Sequence, residues 1–354
     1  MRGTRGVSPA SLRWASARGP GRGRFSEVRT VRRGRRGKAG HVTYTVGGGA
    51  DGLIRGVSPV LEVPFYADGG LDEPGFGRVV DYVLGCGVSS VMFPGYASEF
   101  LKLTGDERGR LNAILLGRTR DRTDVAAVVA VQDHATRLAA DHARRLVDQG
   151  ADAVNLLPPY QLTPSARDVH EHVKAVAAAV PDTPIVVQYA PEQTGTALDA
   201  SAIAAIAAER PNVRMVKVES TPPGPFIADL GRQRPLLPAM VGYAGVQLPD
   251  ALRRGAVGVQ PGCSFTELYV DVWDLYAAGD QDAAFDLHRA FLPYISYWML
   301  GSELIVAAEK LISQRRGLIG SAYCRAPAHH LDAEEVAMVD RFLTEFKDRL
   351  PDLS

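Results

Sequence analysis

The sequence predicts an α/β protein built as a (β/α)8 TIM barrel with a C-terminal helical appendage. Eight short apolar runs alternate with amphipathic segments between residues 53 and 260. Apolar strands that alternate with helices form a parallel sheet whose two faces are both covered. Eight such units in about 210 residues match the size of a (β/α)8 barrel. A doubly wound open sheet is the alternative architecture.

Each apolar run is a predicted strand, and each amphipathic segment is a predicted helix. The strands are LIRGVSPVLEV (53–63), VSSVMF (88–93), VAAVVAV (125–131), ADAVNLL (151–157), PIVVQY (184–189), VRMVKV (213–218), LLPAMVG (236–242) and AVGVQ (256–260). Segments such as 134–150 and 165–180 repeat apolar residues at intervals of three and four, which indicates helices. Three more helical stretches, at about 264–278, 280–315 and 332–348, complete the barrel and form the appendage.

Composition divides the chain into a basic leader (1–50), a barrel (51–279) and C-terminal helices packed on the barrel (280–354). Residues 1–40 hold 11 Arg and one Lys against a single acid, Glu27. The rest of the chain holds 28 basic and 39 acidic residues, a net charge of −11. A body that acidic argues against nucleic-acid binding. The leader could be a nucleic-acid tail or a transit-like peptide, but its Arg- and Gly-rich composition favours a dispensable disordered leader.

Cysteine and histidine spacing argues against a bound metal. The three cysteines stand far apart without a CxxC pair, which predicts neither a disulfide framework nor a zinc site and fits a reducing cytoplasm. His134, His142, His170 and His172 fall on helices that we expect to face outward. No glycine-rich nucleotide motif is present, and no apolar run approaches the ~18 residues of a membrane span. We therefore expect no metal or nucleotide cofactor and no membrane partner.

Lys217 is the polar residue that stands out among the predicted strands, inside the apolar run VRMVKV. Its ammonium could reach water at the end of the strand. Alternatively it is buried, which lowers the pKa of a lysine and makes it a nucleophile suited to Schiff-base chemistry. Active sites of barrels lie at the C-terminal ends of the strands, where Lys217, several tyrosines and two glycine turns converge. Such a rim suits carbonyl chemistry, with a lysine to form an iminium and a hydroxyl to move protons.

Several motifs together resemble the dihydrodipicolinate synthase / N-acetylneuraminate lyase superfamily. They are GVSPVLEVPFYADGGLD (56–72), PGYASE (94–99), PPYQLTPS (158–165), PIVVQYAPEQTG (184–195), VRMVKVES (213–220) and AAEKLISQRRGLIGSAYCRAP (307–327). The resemblance spans about residues 53–350 and implies a barrel with C-terminal helices. It also implies a homo-oligomer (dimer or tetramer) and a covalent imine between Lys217 and a 2-keto acid, usually pyruvate.

The resemblance also implies which residues contact the substrate, and this chain departs from the family at several of them. The implied set is Tyr96, Ala97, Ser98, Tyr160, Gln188, Gln193, Gly242, Tyr243 and Val259. The family's Gly-Thr-Thr-Gly-Glu turn is here Gly-Tyr-Ala-Ser-Glu (95–99), so both threonine hydroxyls are absent. Gln161 replaces the second aromatic residue after strand 4, and Gln193 replaces an arginine that holds a distal carboxylate. The last change argues against the dihydrodipicolinate synthase substrate itself.

The tyrosine that the family carries on strand 5 has two candidates here. The contiguous motif PEQTG places Gln188 at that position, whereas counting back from Lys217 places Tyr189 there. A shift of one residue turns a side chain to the opposite face of the strand. Tyr189 is therefore either a catalytic partner of Lys217 or a residue packed between strand and helix.

Two classes of function follow from the sequence. The first is a Schiff-base-forming lyase, aldolase or dehydratase that acts on a 2-keto acid or related carbonyl compound, with Lys217 as nucleophile and a tyrosine or Glu219 moving protons. The second is a non-catalytic barrel that binds a metabolite or only assembles. A lysine retained in an apolar strand without a use would have an uncompensated desolvation cost, which favours the enzyme.

Overall fold

The computed structural model describes residues 54–195 and 198–353, and these residues form a parallel barrel followed by helices. The eight strands are β1 (Gly56–Val57), β2 (Ser90–Phe93), β3 (Ala126–Val131), β4 (Ala153–Leu156), β5 (Ile185–Tyr189), β6 (Val213–Val218), β7 (Ala239–Val241) and β8 (Gly258–Val259). Their order in the sheet is β1-β8-β7-β6-β5-β4-β3-β2, and every adjacent pair is parallel.

A short bridge beyond β1 joins the two edges of this sheet. Val60 pairs with Met92 of β2 in parallel. The Leu61 amide donates to the Met92 carbonyl at 3.0 Å, and the Met92 amide donates to the Pro59 carbonyl at 2.9 Å. These bonds close the ring, so the structure is the predicted (β/α)8 TIM barrel and not an open sheet.

Helices cover the outside of the barrel and continue after β8. They are α1 (Glu73–Gly85), α2 (Gly105–Thr119), α3 (Thr136–Asp148), α4 (Ala166–Ala179), α5 (Pro191–Thr194), α6 (Ala200–Glu209), α7 (Pro223–Arg232), α8 (Leu248–Arg253), α9 (Thr266–Ala277), α10 (Gln281–Trp298), α11 (Ser302–Arg315) and α12 (Ala333–Glu345). Local capping sets several boundaries. Thr104 and Glu107 form a capping box at the start of α2, and Asp332 and Glu335 form one at α12.

Alternation along the strands separates two apolar layers. Val186, Met215 and Met240 belong to the cluster that fills the barrel, whereas Val187 and Val216 belong to the core between strands and helices. Successive side chains of a strand point to opposite faces, so odd and even positions of β6 face different layers. This alternation places Lys217 on the inner face with Met215.

The C-terminal helices pack on the barrel through a cluster of aromatic rings. Phe265, just before α9, makes ring contacts with Phe291 and Trp298 of α10 and with Phe342 of α12. Helix α11 lies with Val306 to Ser313 buried, which brings Glu309 and Lys310 against the barrel. The appendage therefore forms part of the wall above the strand ends.

Two predicted elements differ from the observed ones. The first run, 53–63, contributes a two-residue strand and one bridge, because Pro59 has no amide hydrogen to continue a ladder. The stretch 280–315 is two helices, and the break falls at Gly301, whose extended backbone precedes α11. The predicted leader, 1–50, lies outside the described residues. Within the described chain, no helix combines the length and the apolar character that crossing a membrane requires.

Candidate active site

Lys217 reaches the cavity at the C-terminal ends of the strands through the register of β6. Gln188 of β5, Lys217 of β6 and Met240 of β7 are Cα partners across three adjacent strands. The Lys217 residue is 4% exposed and its side chain lines the cavity. The structure therefore places this lysine inside the barrel mouth, as the sequence predicted.

A chain of polar contacts surrounds the Lys217 ammonium. Its Nζ lies 3.1 Å from Oε1 of Glu219, and Nε2 of Gln188 donates to Oε2 of the same carboxylate at 2.6 Å. Nδ2 of Asn155 donates to Oε1 of Gln188 at 2.8 Å. All four residues are buried. Buried charges are tolerated when they are paired and hydrogen-bonded, as Lys217 and Glu219 are here.

Gly242 keeps the space that Glu219 occupies. A Cβ at residue 242 would lie 2.3 Å from Cγ of Glu219 and 2.5 Å from its Oε1. Any larger residue would push the carboxylate away from Lys217. The predicted role of Gly242 in the site is thus indirect, through the position of Glu219.

Four further predicted residues line the same cavity, namely Tyr96, Ala97, Gln193 and Tyr243. Nε2 of Gln193 donates to the Tyr243 hydroxyl at 2.6 Å, which fixes that phenol. Burial raises the pKa of both Tyr96 and Tyr243 above that of a free tyrosine. Both phenols therefore keep their protons at neutral pH and can donate them to a ligand.

Tyr189 is not a partner of Lys217, and Gln188 occupies the inner position. The Tyr189 ring stacks on Phe226 of α7, with centroids 3.9 Å apart and planes 5° from parallel. The reason is strand alternation, since Tyr189 is one residue beyond Gln188 and therefore faces the helices. The predicted catalytic role of Tyr189 conflicts with this geometry.

Three other predicted contact residues do not line the cavity. The Ser98 hydroxyl accepts from the Gly95 amide at 2.9 Å and donates to the Leu61 carbonyl, so it holds the turn instead. Tyr160 packs behind Tyr96 in a small apolar cluster. Val259 points into the outer core, because it follows Gly258 on a two-residue strand.

Two glutamates that the sequence analysis left out of the site line the cavity. Glu62 follows the bridge at Val60, and Glu309 lies on α11. Each interrupts a mainly apolar run, VLEV for Glu62 and VAAEKLI for Glu309, as Lys217 does in VRMVKV. That shared pattern is the one by which they could have been found.

One of the histidines that were expected to face outward takes part in packing. His172, expected to face outward, is buried, and its Nδ1 lies 3.0 Å from the Thr136 hydroxyl of α3 because α4 packs against that helix. Burial lowers the pKa of His172 to about 4, which keeps the ring neutral. Among residues 54–195 and 198–353, no three His, Cys, Asp or Glu side chains are grouped in a way that could hold a metal ion.

Comparison with known proteins agrees with this geometry. Residues 53–346 match the model of the dihydrodipicolinate synthetase family. The 4-hydroxy-tetrahydrodipicolinate synthase of Acidothermus cellulolyticus is 30% identical over 294 residues, covering 79% of this chain and 89% of that protein. The L-2-keto-3-deoxyarabonate dehydratase of Azospirillum brasilense is 28% identical over 283 residues, covering 78% and 89%.

Solved structures share the fold. The dihydrodipicolinate synthase of Rhodopseudomonas palustris superposes with a TM-score of 0.74 at 26% identity, covering 85% of this chain and 99% of that one. A monomeric dihydrodipicolinate synthase variant superposes with a TM-score of 0.73 at 23% identity, covering 83% and 97%. The relatives include synthases and a dehydratase, which confirms the predicted lyase class. The chain belongs to the dihydrodipicolinate synthetase family, as the motifs around Lys217 indicated.

Proposed function

We propose that this lyase forms a Schiff base between Lys217 and the carbonyl carbon of a 2-keto acid or related carbonyl compound. The observation that carries the proposal is the buried Lys217 amine, which faces a cavity and lies 3.1 Å from the Glu219 carboxylate. A lysine in that position has both a route to a ligand and a neighbouring base. The iminium then acts as the electron sink for C–C cleavage, C–C formation or loss of water.

Glu219 has the first proton-transfer role in this proposal. Its carboxylate takes a proton from the Lys217 ammonium, and the free amine attacks the carbonyl carbon to form the C–N bond. The resulting carbinolamine loses its hydroxyl, with one proton, as water. In sum, one ammonium and one carbonyl become one iminium and one water. Gln188 holds Glu219 in place through the 2.6 Å bond and leaves its other oxygen facing Lys217.

Tyr243 is the better placed of the two phenols to supply a proton to the substrate. Gln193 fixes the Tyr243 hydroxyl from one side. The Tyr96 ring contacts Phe100, and no described residue forms a hydrogen bond with its hydroxyl. A fixed donor near the reacting atoms gains from proximity and orientation. We therefore assign the general-acid role to Tyr243 and a packing role at the cavity wall to Tyr96.

The substrate differs from that of dihydrodipicolinate synthase. Gln193, which stands where the family carries an arginine, is neutral and is engaged with Tyr243. Among the described residues that line the cavity, Lys217 is the single basic side chain, against the acids Glu62, Glu219 and Glu309. A second carboxylate on the substrate would thus meet no cation and several acids.

We also propose that the chain assembles as a homo-oligomer, a dimer or tetramer, in the cytoplasm. Leu101 and Leu162 flank the aromatic cluster of Phe100 and Tyr160, and they are 63% and 94% exposed. Exposed leucines around an apolar cluster are typical of a subunit interface. Sedimentation at micromolar concentration should show an assembly, and a single species of 38.0 kDa would contradict it.

Borohydride reduction tests the central proposal. The protein is incubated with each of a panel of keto acids, pyruvate included, then reduced and digested. The expected result is one substrate-derived mass on the peptide that contains Lys217. Addition spread over exposed lysines such as Lys347 would indicate non-specific reaction. No adduct with any keto acid would favour the non-catalytic binding barrel.

A further inference from the structure

Two buried carboxyl groups on the appendage side of the cavity have no part in the mechanism proposed above. Glu62 is 2% exposed and Glu309 is 4% exposed, and both line the cavity that holds Lys217. Glu62 comes from the segment that closes the barrel, and Glu309 comes from α11. A carboxyl group is rarely buried to this extent unless something pairs with it.

The two carboxyls have few hydrogen-bond donors in the described chain. Neither oxygen of Glu62 meets a donor with hydrogen-bond geometry. Glu309 receives one long contact, from the Ser264 amide at 3.5 Å. The hydroxyls of Ser313 and Ser264 lie beside the pair but make no hydrogen bond of good geometry. The Glu309 carboxyl lies directly against the backbone of Gly262, where a Cβ would be 2.0 Å from its Oε2. Buried carboxylates with so few donors are costly, so the pair is stabilised either by its own protons or by donors that a ligand brings.

The nearest cations of the chain are committed to other partners. Nζ of Lys310 binds Glu99 and the Tyr323 carbonyl. The guanidinium of Arg316 binds Glu267 and the Ser264 carbonyl, the latter at 2.6 Å. Neither side chain is free to neutralise Glu62 or Glu309. Among residues 54–195 and 198–353, the cations that face the pair are already bound, so the pair either holds protons or meets a cation that a ligand supplies.

We propose that Glu62 and Glu309 form a subsite for an aliphatic ammonium group at the far end of the carbonyl substrate. An ammonium brings three N–H donors and one positive charge to carboxyls that lack both. A hydroxyl brings one donor and no charge, and a carboxylate is repelled. This inference rests on the proposed function of the cavity, because it assumes that the carbonyl end of the same molecule reaches Lys217.

The protonation of the pair supports this assignment. Burial raises the pKa of Glu62 to about 7, against the lowering effect of the Ser313 hydroxyl and the charges of Lys310 and Arg316. Burial and then the Glu62 charge raise the pKa of Glu309 to about 8. Without a ligand, the pair therefore holds protons near neutral pH. A bound ammonium favours the ionised carboxylates, so its binding releases protons and strengthens as the pH rises.

Other titratable groups face the pair, and the experiment must separate their effects. They are Glu99 and Cys263 from the barrel loops, Tyr269 from α9, Lys310 and Arg316 from α11 and its end, and Lys217, Glu219, Tyr96 and Tyr243 across the cavity. Those around Lys217 change the trapping of every carbonyl probe alike. A ratio between two probes cancels that shared change.

The test compares three methyl ketones of matched length that end in a tertiary ammonium, a hydroxyl or a carboxylate. The tertiary ammonium cannot condense with a ketone, and because it has one N–H donor, as the hydroxyl has one O–H, the comparison isolates the positive charge. Each is trapped on the full chain with borohydride at about pH 6, 7, 8 and 9, a range that spans both raised pKa values. The half-saturating concentration of the ammonium ketone should be about tenfold to a hundredfold below that of the hydroxyl ketone at high pH, as charge-assisted hydrogen bonds imply. The advantage should shrink towards low pH.

Variants and a direct titration complete the design. Glu62→Gln and Glu309→Gln should each reduce the ammonium-to-hydroxyl ratio by about tenfold at high pH, while Glu334→Gln, on the exposed start of α12, leaves it unchanged. Calorimetric titration with propylammonium chloride in two buffers of different ionisation enthalpy should show proton release that Glu309→Gln diminishes.

The outcomes distinguish this subsite from the Schiff base. If no methyl ketone is trapped although a keto acid is, the Schiff base stands and the propylammonium titration alone decides the subsite. If no keto acid is trapped either, the Schiff-base proposal fails and the same titration decides the subsite. A hydroxyl ketone that binds as well as the ammonium ketone at every pH, or propylammonium binding without proton release, overturns the subsite while leaving Lys217 chemistry intact.

Discussion

Two lysines are buried in the part of the chain that the structure describes, each beside a glutamate, and their surroundings differ. Lys310 of α11 has Nζ bound to Glu99 and to the Tyr323 carbonyl, and it lies 4.3 Å from the centroid of Phe65. Lys217 of β6 has one carboxylate, Glu219, and otherwise faces a cavity. The first ammonium is fully enclosed by the chain, and the second has one side open to a ligand. Burial alone therefore does not distinguish the two lysines, whereas access to the cavity does, and the proposed reactivity of Lys217 depends on that access.

The largest expected difference concerns covalent trapping. Lys217→Ala and Lys217→Arg should both abolish the borohydride adduct, because alanine has no amine and a guanidinium stays protonated. Far-ultraviolet circular dichroism checks that each variant is folded. Lys347→Ala, at an exposed position, serves as the matched control and should be trapped like the original chain. Full trapping by Lys217→Ala would end the Schiff-base reading.

Lys217 matters most for covalent trapping, whereas Lys310 should matter more for the free energy of unfolding. Lys310→Ala removes the ammonium from Oε1 of the buried Glu99, while Lys102 still binds Oε2 at 3.0 Å. The loss of unfolding free energy should therefore reach at most the about 3–5 kcal/mol of a broken buried pair, and it should exceed that of an exposed pair. Urea unfolding measures this loss. Lys174→Ala breaks a pair with the half-exposed Glu209, for which we expect at most about 1 kcal/mol. Equal losses in the two variants would mean that the α11 pair does not stabilise the fold.

The two tyrosines sharpen the contrast between cavity and core. Tyr243→Phe removes the phenol that Gln193 orients, so the rate of imine trapping with pyruvate should fall by about 10²–10⁴-fold, as for a general acid. Tyr189→Phe keeps the ring that stacks on Phe226 and should change the rate by less than about threefold, well below that range. The pair is a matched test, since each variant loses one hydroxyl. If Tyr189→Phe slowed imine trapping while Tyr243→Phe left its rate unchanged, the result would contradict the placement of Tyr189 on the outer face of β5.

The smallest expected effect is on the pH dependence of the melting temperature, and it comes from Glu309, a buried acid without a lysine partner. The pKa of Glu309 is raised to about 8 by burial, so the protein favours its protonated form. The stability that this proton supplies is complete below the unfolded pKa of about 4.5 and is lost as the pH rises through about 8. Glu309→Gln cannot lose a proton there, so it should raise the melting temperature at about pH 8 more than at about pH 5. Differential scanning calorimetry at the two values measures this, and equal shifts would show that Glu309 is not held protonated.

Much of the barrel and its central lysine could be predicted from local pattern, because each strand is a short apolar run and Lys217 interrupts one. The inner position of β5 stayed open between two residues, because the motif PEQTG indicated Gln188 and counting back from Lys217 indicated Tyr189. The register of β5 against β6 places Gln188 there. Ser98 could not be placed this way, because its hydroxyl bonds to the Leu61 carbonyl on a segment far away along the chain. Val259 was misplaced because a strand of two residues offers too little alternation to tell its faces apart.

The acidic pair was beyond prediction for a different reason. Glu62 lies near the start of the barrel sequence and Glu309 lies in the C-terminal helices, so no local sequence period links them. They meet because α11 packs over the strand ends, which is a matter of tertiary docking. An acidic residue inside an apolar run is a candidate for a buried cavity residue. The pattern does not show which of these acidic residues line the same cavity.

The cavity wall opposite Lys217 has a consequence for how this architecture can diversify. Met299, Ser302, Ile305 and Glu309 reach the cavity from the part of the chain that follows the last strand, while Lys217 lies on β6 and Glu219 directly follows that strand. The proposed nucleophile and one part of the cavity wall are thus encoded in separate stretches of the gene. Mutation or recombination confined to the tail can alter that wall and leave the Lys217 amine untouched. A chimera that joins this barrel to the tail of a relative should therefore keep the proposed chemistry of Lys217 and shift its substrate range towards that relative.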